Sequence, residues 1–219
     1  MIASDIQIER GEHIALVGSS GCGKSTLLDI FALVSRPTDS DVFTFKPDDN
    51  ELSDVKKIWQ KRKQNQLSSL RSKHIGYVLQ QGGLLPYLTV RENIELSRNL
   101  LNMEADDTVN SLCRVLGIDR HLEKLPGLLS TGERQRVAFA RALAHRPSII
   151  IADEPTASLD PITSRKIMAV VMELIKGLGI TMLIASHDWA QIYKLDMHSL
   201  SQNTRTLKNG VIESVFSKT

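Results

Sequence analysis

Only two cysteines, Cys22 and Cys113, occur among the 219 residues. Two thiols cannot build a disulfide framework, and their scarcity points to a reducing compartment. Long apolar runs are also missing. Stretches such as "SIIIADE" have the length of a core strand, far short of the roughly 18–20 apolar residues a membrane helix requires. The start, "MIASDIQIERGEH", lacks the basic and then apolar blocks of a secretory signal. The expectation is a chain soluble by itself, so that work on a membrane would need another subunit. Net charge is nearly absent, at +2, which argues against a general nucleic-acid binder. Acidic residues are missing locally, with none between Val55 and Arg91, while Lys56, Lys57, Lys61, Arg62, Lys63, Arg71, Lys73 and Arg91 fall inside. Two readings stay open for that run: a solvated helix face, or a surface turned toward anionic lipid or an acidic partner. No internal repeat and no low-complexity segment interrupts the chain.

What is present is an aliphatic chain able to bury a core, with 42 % hydrophobic residues, in strands that alternate with helices. "HIALVG", "HIGYVLQ" ending at Gln80, "SIIIADE" and "ITMLIASH" are short apolar runs throughout, the pattern of strands buried on both faces. Segment 53–74 reads as one polar helix with Ser53 as N-cap. "TVRENIELSRNLLN" opens a helix at Thr89, with Glu92 completing a capping box. Asp106 to Leu116 reads as a helix closed by Gly117. Ser130 begins a longer helix, and "PITSRKIMAVVMELIKGLG" is amphipathic with proline in its first turn. "TRTLKNGVIESV" reads as a hairpin around Asn209–Gly210. The expected fold class is α/β, with a mostly parallel sheet covered on both faces and a helical insertion from about residue 83 to 130.

The chemistry gathers at strand ends. "GSSGCGKS", Gly18 to Ser25, fits G-x-x-x-x-G-K-[ST] between a predicted strand and a predicted helix. Gly18, Ser19, Ser20, Gly21, Cys22 and Gly23 form a loop whose backbone N–H groups can turn toward phosphate oxygens, aided by the helix N-terminus. Lys24 is placed to reach the β- and γ-phosphates, Ser25 to bind Mg²⁺ and Thr26 to touch the α-phosphate. Cys22 either fills a variable loop position or is a thiol made reactive by the helix start. Asp153 and Glu154 are adjacent carboxylates at a strand end, an arrangement that favours a metal–nucleotide site. Asp153 suits a metal ligand, and Glu154 can orient or deprotonate a water. Gln80 can bridge a metal-bound water, and His187 can meet a γ-phosphate. A second anion-binding helix start lies at "LLSTGERQRVAFARAL".

Taken together, "GSSGCGKST", "YVLQQGGLLPYLTVRENI", "LLSTGERQRVAFARAL", "IIIADEPTASLD" and "IASHD" resemble, in order and spacing, the ATP-binding subunits of ABC transporters. The resemblance implies a P-loop NTPase core (1–82 and 147–219), an antiparallel β edge and an inserted helical subdomain carrying the signature (83–146). It implies ATP and Mg²⁺ as cofactors, with Ser25, Gln80 and Asp153 at the metal. Lys24, Gln80, Glu154 and His187 become the catalytic set. The phosphates go to Gly18–Thr26 of one subunit and to Ser130 and Gly132 of another, in a head-to-tail homodimer or heterodimer with a like subunit. Ser158 and Asp160 carry communication across the dimer. The partners implied are transmembrane permease subunits, with no nucleic acid and with membrane contact only through the permease. The implied location is peripheral, on the cytoplasmic side of the inner membrane. Within the family, "GERQRVA" and "LLPYLTVREN" look most like the lipoprotein-releasing and macrolide-exporting group.

Three departures shape the expectations. Seventeen residues precede Gly18 and none is aromatic, so the ring that stacks on adenine in the family has no counterpart, the chain starts late, and weak selectivity for ATP over GTP is expected. Lys46–Ser72 is longer than the family usually has, which points to one elongated surface helix near a partner or the membrane. Thr131 stands where the family usually has glycine, putting a β-branched side chain beside the γ-phosphate site. Two other functions compete: a regulatory subunit that binds nucleotide without turnover, and a soluble ATPase of the same type acting on DNA or ribosomes. Intact Lys24, Asp153, Glu154 and His187 argue against the first. A single ATPase unit without coiled-coil insertions argues against the second.

Overall fold

The computed structural model describes residues 1–19, 21–47, 52–187, 197–206 and 212–218. Strands β1 (Ile2–Ser4), β2 (His13–Val17), β5 (Ile75–Val78), β6 (Ile149–Asp153), β7 (Thr181–Ser186), β8 (His198–Thr206) and β9 (Ile212–Lys218) form one sheet in the order β1-β9-β8-β2-β7-β6-β5. Every neighbouring pair is parallel except β8 and β9. Strands β3 (Thr44–Phe45) and β4 (Ser53–Asp54) make a separate antiparallel pair. The expected turn Asn209–Gly210 lies outside the described residues, although the strands flanking it are antiparallel as a hairpin requires.

Side-chain alternation along the central strands explains why both faces are covered. Ile14, Leu16, Ile151, Leu183 and Ala185 point to one face, where α1 (Lys24–Phe31), α2 (Val55–Gln60) and α3 (Gln64–His74) add Leu27, Leu28, Val55, Trp59 and Leu67. Ala15, Val17, Ile150, Ala152, Met182 and Ile184 point to the other, against α4 (Val90–Leu100), α5 (Thr108–Val115), α6 (Thr131–Leu143) and α7 (Pro161–Leu178). Strands apolar on both faces follow directly from this sandwiching. Among the described residues, every element between β5 and β6 is helical. At the β5 edge of the sheet, β5 and α6 touch so closely that a Cβ on Gly76 would overlap the Ala142 carbonyl and lie 2.5 Å from Ile150 Cδ1.

Several local expectations are corrected. Segment 53–74 is not one elongated helix with Ser53 as its cap. Ser53 lies in β4, Asp54 caps α2 by accepting from the Lys57 N–H at 2.9 Å, and the chain breaks at Arg62, whose φ is +52°. Val55 and Trp59 of α2 and Leu67 of α3 anchor the two short helices in the core. The basic run is partly engaged within the chain, since Arg71 donates to the Leu33 carbonyl and Lys56 to that of Asp41. Strand β5 stops at Val78, two residues before Gln80, where a turn closed by Gly82 N–H to Leu79 O begins.

Candidate nucleotide site

Parallel pairing aligns the reactive groups. Val17 is registered with Ser186, and Asp153 with Ala185. The ends of three adjacent strands therefore bring Gly18, His187 and the Asp153–Glu154 pair to one edge of the sheet, the crevice where open α/β sheets bind ligands. The loop after β2 turns on Gly21 (φ +77°) and Gly23 (φ +101°), values that cost a residue with a Cβ. At Gly18 the limit is space, because a Cβ there would lie 2.6 Å from Gln202 Oε1 and 2.9 Å from Cys22 Sγ. Lys24 is 5 % exposed, and its Nζ donates to the carbonyls of Gly18 (2.8 Å) and Ser19 (3.0 Å). Among the described residues, one of the three ammonium N–H bonds is left for a ligand. Ser25 and Thr26 are exposed at the start of α1. Cys22 packs into the core beneath the loop. Ser20 lies outside the described residues.

Asp153 has one oxygen, Oδ1, that is buried without a hydrogen-bond partner among the described residues, while the carboxylate is bonded by the Ser25 side chain. Burial, with the neighbouring Glu154 and Asp29 charges, pushes its pKa above the usual carboxylate value, against the pull of Ser25 and Lys24. Asp29 is held in turn by the Tyr77 hydroxyl at 2.9 Å. A buried carboxylate oxygen left bare beside a serine hydroxyl is a hard-oxygen donor set, which suits Mg²⁺. Glu154 adopts φ +43°, a strained value for a glutamate, and its N–H donates to the Ala185 carbonyl at 2.9 Å. That bond pins the turn and sends the carboxylate toward His187, whose Nδ1 lies 3.2 Å from Glu154 Oε2. A cavity of about 110 Å³ opens beside them, lined by Thr156, Ala157, Ser164 and Ser186 among others. Gln80 is exposed in the turn after β5, and Arg141 of α6 holds that turn by donating to the Gly82 and Gly83 carbonyls, both at 2.8 Å.

The second expected phosphate reader is a helix start of its own. Ser130 caps α6 in a full capping box with Glu133. Gly132 is buried, and a Cβ there would meet Thr163 Cγ2 of α7 at 3.1 Å. Thr131 is the first residue of α6, and its hydroxyl accepts from Arg134 at 3.1 Å. The β-branched residue therefore has a partner within its own helix turn and adopts no left-handed backbone. Among the described residues, no hydrogen bond or ion pair joins this turn to Gly18–Thr26. Ser158 is exposed, and the Asp160 carboxylate caps α7 by accepting from Ile162 and Thr163 at 3.0 Å.

With this geometry in view, residues 3–157 match the family model described as ABC transporter. The chain belongs to the ABC transporter family. It is an ATP-binding subunit of that family and an ATPase. The lipoprotein-releasing system ATP-binding protein LolD of Legionella pneumophila (strain Paris) is 36 % identical over 195 residues, which cover 88 % of this chain and 82 % of that protein. LolD of Hyphomonas neptunium is 35 % identical over 94 % of this chain and 85 % of its own length. The macrolide export ATP-binding/permease protein MacB of Rhodopirellula baltica is 36 % identical, but the chain spans only 27 % of that larger protein. Among solved structures, a dimeric bacterial ABC transporter cassette superposes with TM-score 0.74 at 32 % identity, covering 89 % of this chain and 82 % of that one. A post-hydrolysis ATP-binding cassette dimer bound to ADP and phosphate superposes with TM-score 0.71 at 31 % identity, with the same coverage. Among the described residues, no helix is long and apolar enough to cross a membrane.

Some neighbours of the site carry no motif. Met1 reaches the loop after β2, where a Cβ on Gly23 would lie 3.1 Å from its Sδ, and Gln202 lies against Gly18. His121 and Arg141 are likewise distant in sequence from what they hold. Only Glu133 had a local signal, the serine three residues before it, which is the spacing already read at Thr89 and Glu92.

Proposed function

We propose that two copies of this chain, or this chain and a like subunit, close head to tail around two ATP molecules and so drive a membrane permease. The observation that carries the reading is the strand edge where Lys24, a bare Asp153 oxygen and a strained Glu154 beside His187 converge. In it, Gly18–Thr26, with Ser20 and Cys22 as loop positions, cradle the phosphates, and Lys24 gives its remaining N–H to them. Ser25, Gln80 and Asp153 would hold Mg²⁺, which when bound offsets charge on the β- and γ-phosphate oxygens. Glu154 orients and deprotonates the attacking water, and His187 contacts the γ-phosphate. Ser130 and the Gly132 N–H meet the other subunit's ATP, and Ser158 and Asp160 lie along the same contact. The division is an α/β core (1–82, 147–219) with a helical segment (83–146) bearing the signature. Exposed Leu79 and Tyr87, beside the turn that Arg141 holds, offer the permease an apolar surface. The work fits export or extraction of lipoprotein or lipid, from the cytoplasmic side of the inner membrane.

Glu154→Gln tests this. With the general base gone, turnover should fall at least about a hundredfold, and ATP should convert monomer to dimer by sedimentation or size exclusion. Normal hydrolysis by the variant would overturn the assignment.

A further inference from the structure

The carboxylate that caps the signature helix is itself held from outside. Glu133 Oε2 accepts both the N–H and the hydroxyl of Ser130, each at 2.7 Å. Its other oxygen, Oε1, lies 2.9 Å from Nε2 of His121. His121 is 6 % exposed and ends the 3-10 turn Asp119–His121, which its own N–H ties to the Ile118 carbonyl and its carbonyl to the Lys124 N–H, both at 2.9 Å. Its Nδ1 is buried without a hydrogen-bond partner among the described residues, so the polar contacts of the ring are at Nε2. Nε2 also lies 3.2 Å from Nε of the exposed Arg120. One ring nitrogen cannot both donate and accept along its single in-plane direction. A carboxylate offers only lone pairs, so Nε2 carries its hydrogen toward Glu133.

An N3 glutamate in a capping box normally has one oxygen engaged and the other in water. Here both are engaged, and the hydrogen bonds from Ser130, with His121 and Arg136 nearby, hold the carboxyl below its usual pKa. A carboxylate anchored in this way cannot swing across the first turn of α6. That matters because a negative charge there would oppose a phosphate approaching the helix N-terminus. We propose that His121 is a positioning residue for the signature: by holding Glu133 it fixes the capping box at Ser130 and keeps the first N–H groups of α6, at Thr131 and Gly132, open to an incoming polyphosphate. The proposal rests on the head-to-tail reading above, in which that polyphosphate belongs to the other subunit's ATP.

The test uses the Glu154→Gln protein titrated with Mg-ATP, with dimer measured by sedimentation. Adding His121→Ala should raise the ATP concentration for half-maximal dimer roughly tenfold, the change expected for losing one hydrogen bond to a charged group. Binding of a fluorescent ATP analogue by the dilute monomer should be unchanged, because Lys24 and its loop are untouched. With Glu154 intact, KM should rise more than kcat falls. His121→Gln keeps a donor N–H and should recover at least half of the loss. A titration of the His121→Ala protein that superimposes on that of its parent overturns the proposal, as does a folded His121→Gln protein as impaired as His121→Ala. If the Glu154→Gln parent forms no ATP-dependent dimer, the head-to-tail reading fails and takes this one with it.

Discussion

Replacing Asp153 with asparagine should make the protein more stable and less able to use magnesium. The carboxylate has one oxygen buried with no partner among the described residues, and burial already pushes its pKa up. A buried acceptor left without a partner costs about 1–3 kcal/mol. The amide keeps the shape, removes the charge and carries its own smaller desolvation cost, so a net gain of about 1 kcal/mol is reasonable, or about 2–4 °C in Tm for a chain of this size. The pH dependence has a definite sign. A carboxyl with a raised folded-state pKa binds its proton more tightly when folded, so its penalty is absent below the ordinary value, grows as pH rises from there, and is complete above the raised value. The advantage of Asp153→Asn should thus be full at neutral pH and vanish toward about pH 4, the ordinary aspartate value. The second arm is nucleotide. At ATP a hundredfold above Kd, binding stabilises the native state by about 2.7 kcal/mol, or about 5–11 °C on the same scale. In the parent, Mg-ATP should exceed ATP with EDTA. In the variant that difference should collapse. Thermal unfolding followed by circular dichroism reads both arms. A lower Tm without nucleotide would mean that the carboxylate is a structural partner, and an undiminished magnesium increment would remove it from the metal site.

Two further substitutions separate stability from function. Gly76→Ala forces a methyl into the Ala142 carbonyl and should cost about 3 kcal/mol in urea denaturation; a loss below about 1 kcal/mol would show that β5 and α6 can part cheaply. Ser130→Ala and Thr89→Ala each remove the cap of a capping box and should cost about 1 kcal/mol apiece. Only Ser130→Ala should also lower ATP turnover, by at least about tenfold for a lost charge-assisted contact. Equal turnover in the two variants would reduce Ser130 to a helix cap.

Much of the site was legible because its motifs are local. Gly21 and Gly23 turn the chain within a few bonds of Lys24. The spacing from Thr89 to Glu92 is a capping box in any context that permits a helix there. Strands apolar throughout can only be covered on both sides, and in a parallel sheet they end at one edge. The hydrogen bond that Arg134, one helix turn on, gives the Thr131 hydroxyl could not be read from the motif. The break at Arg62 was hidden for a related reason. Polar spacing along 53–74 allows one helix, and it does not show the left-handed turn at Arg62, where the Lys63 N–H returns to the Ile58 carbonyl.

The capping box at Thr89 and the glycine turn that leads into α1 were therefore determined by the sequence itself, since they depend on residues a few positions apart. Tertiary structure alone decided that Asp153 Oδ1 is left bare, that Glu154 is pinned to Ala185, that Arg141 grips the turn after β5, and that His121 holds Glu133. Those contacts join segments from 12 to 59 residues apart. Their geometry follows from strand register and from how closely helices pack on the sheet, and no short motif encodes either.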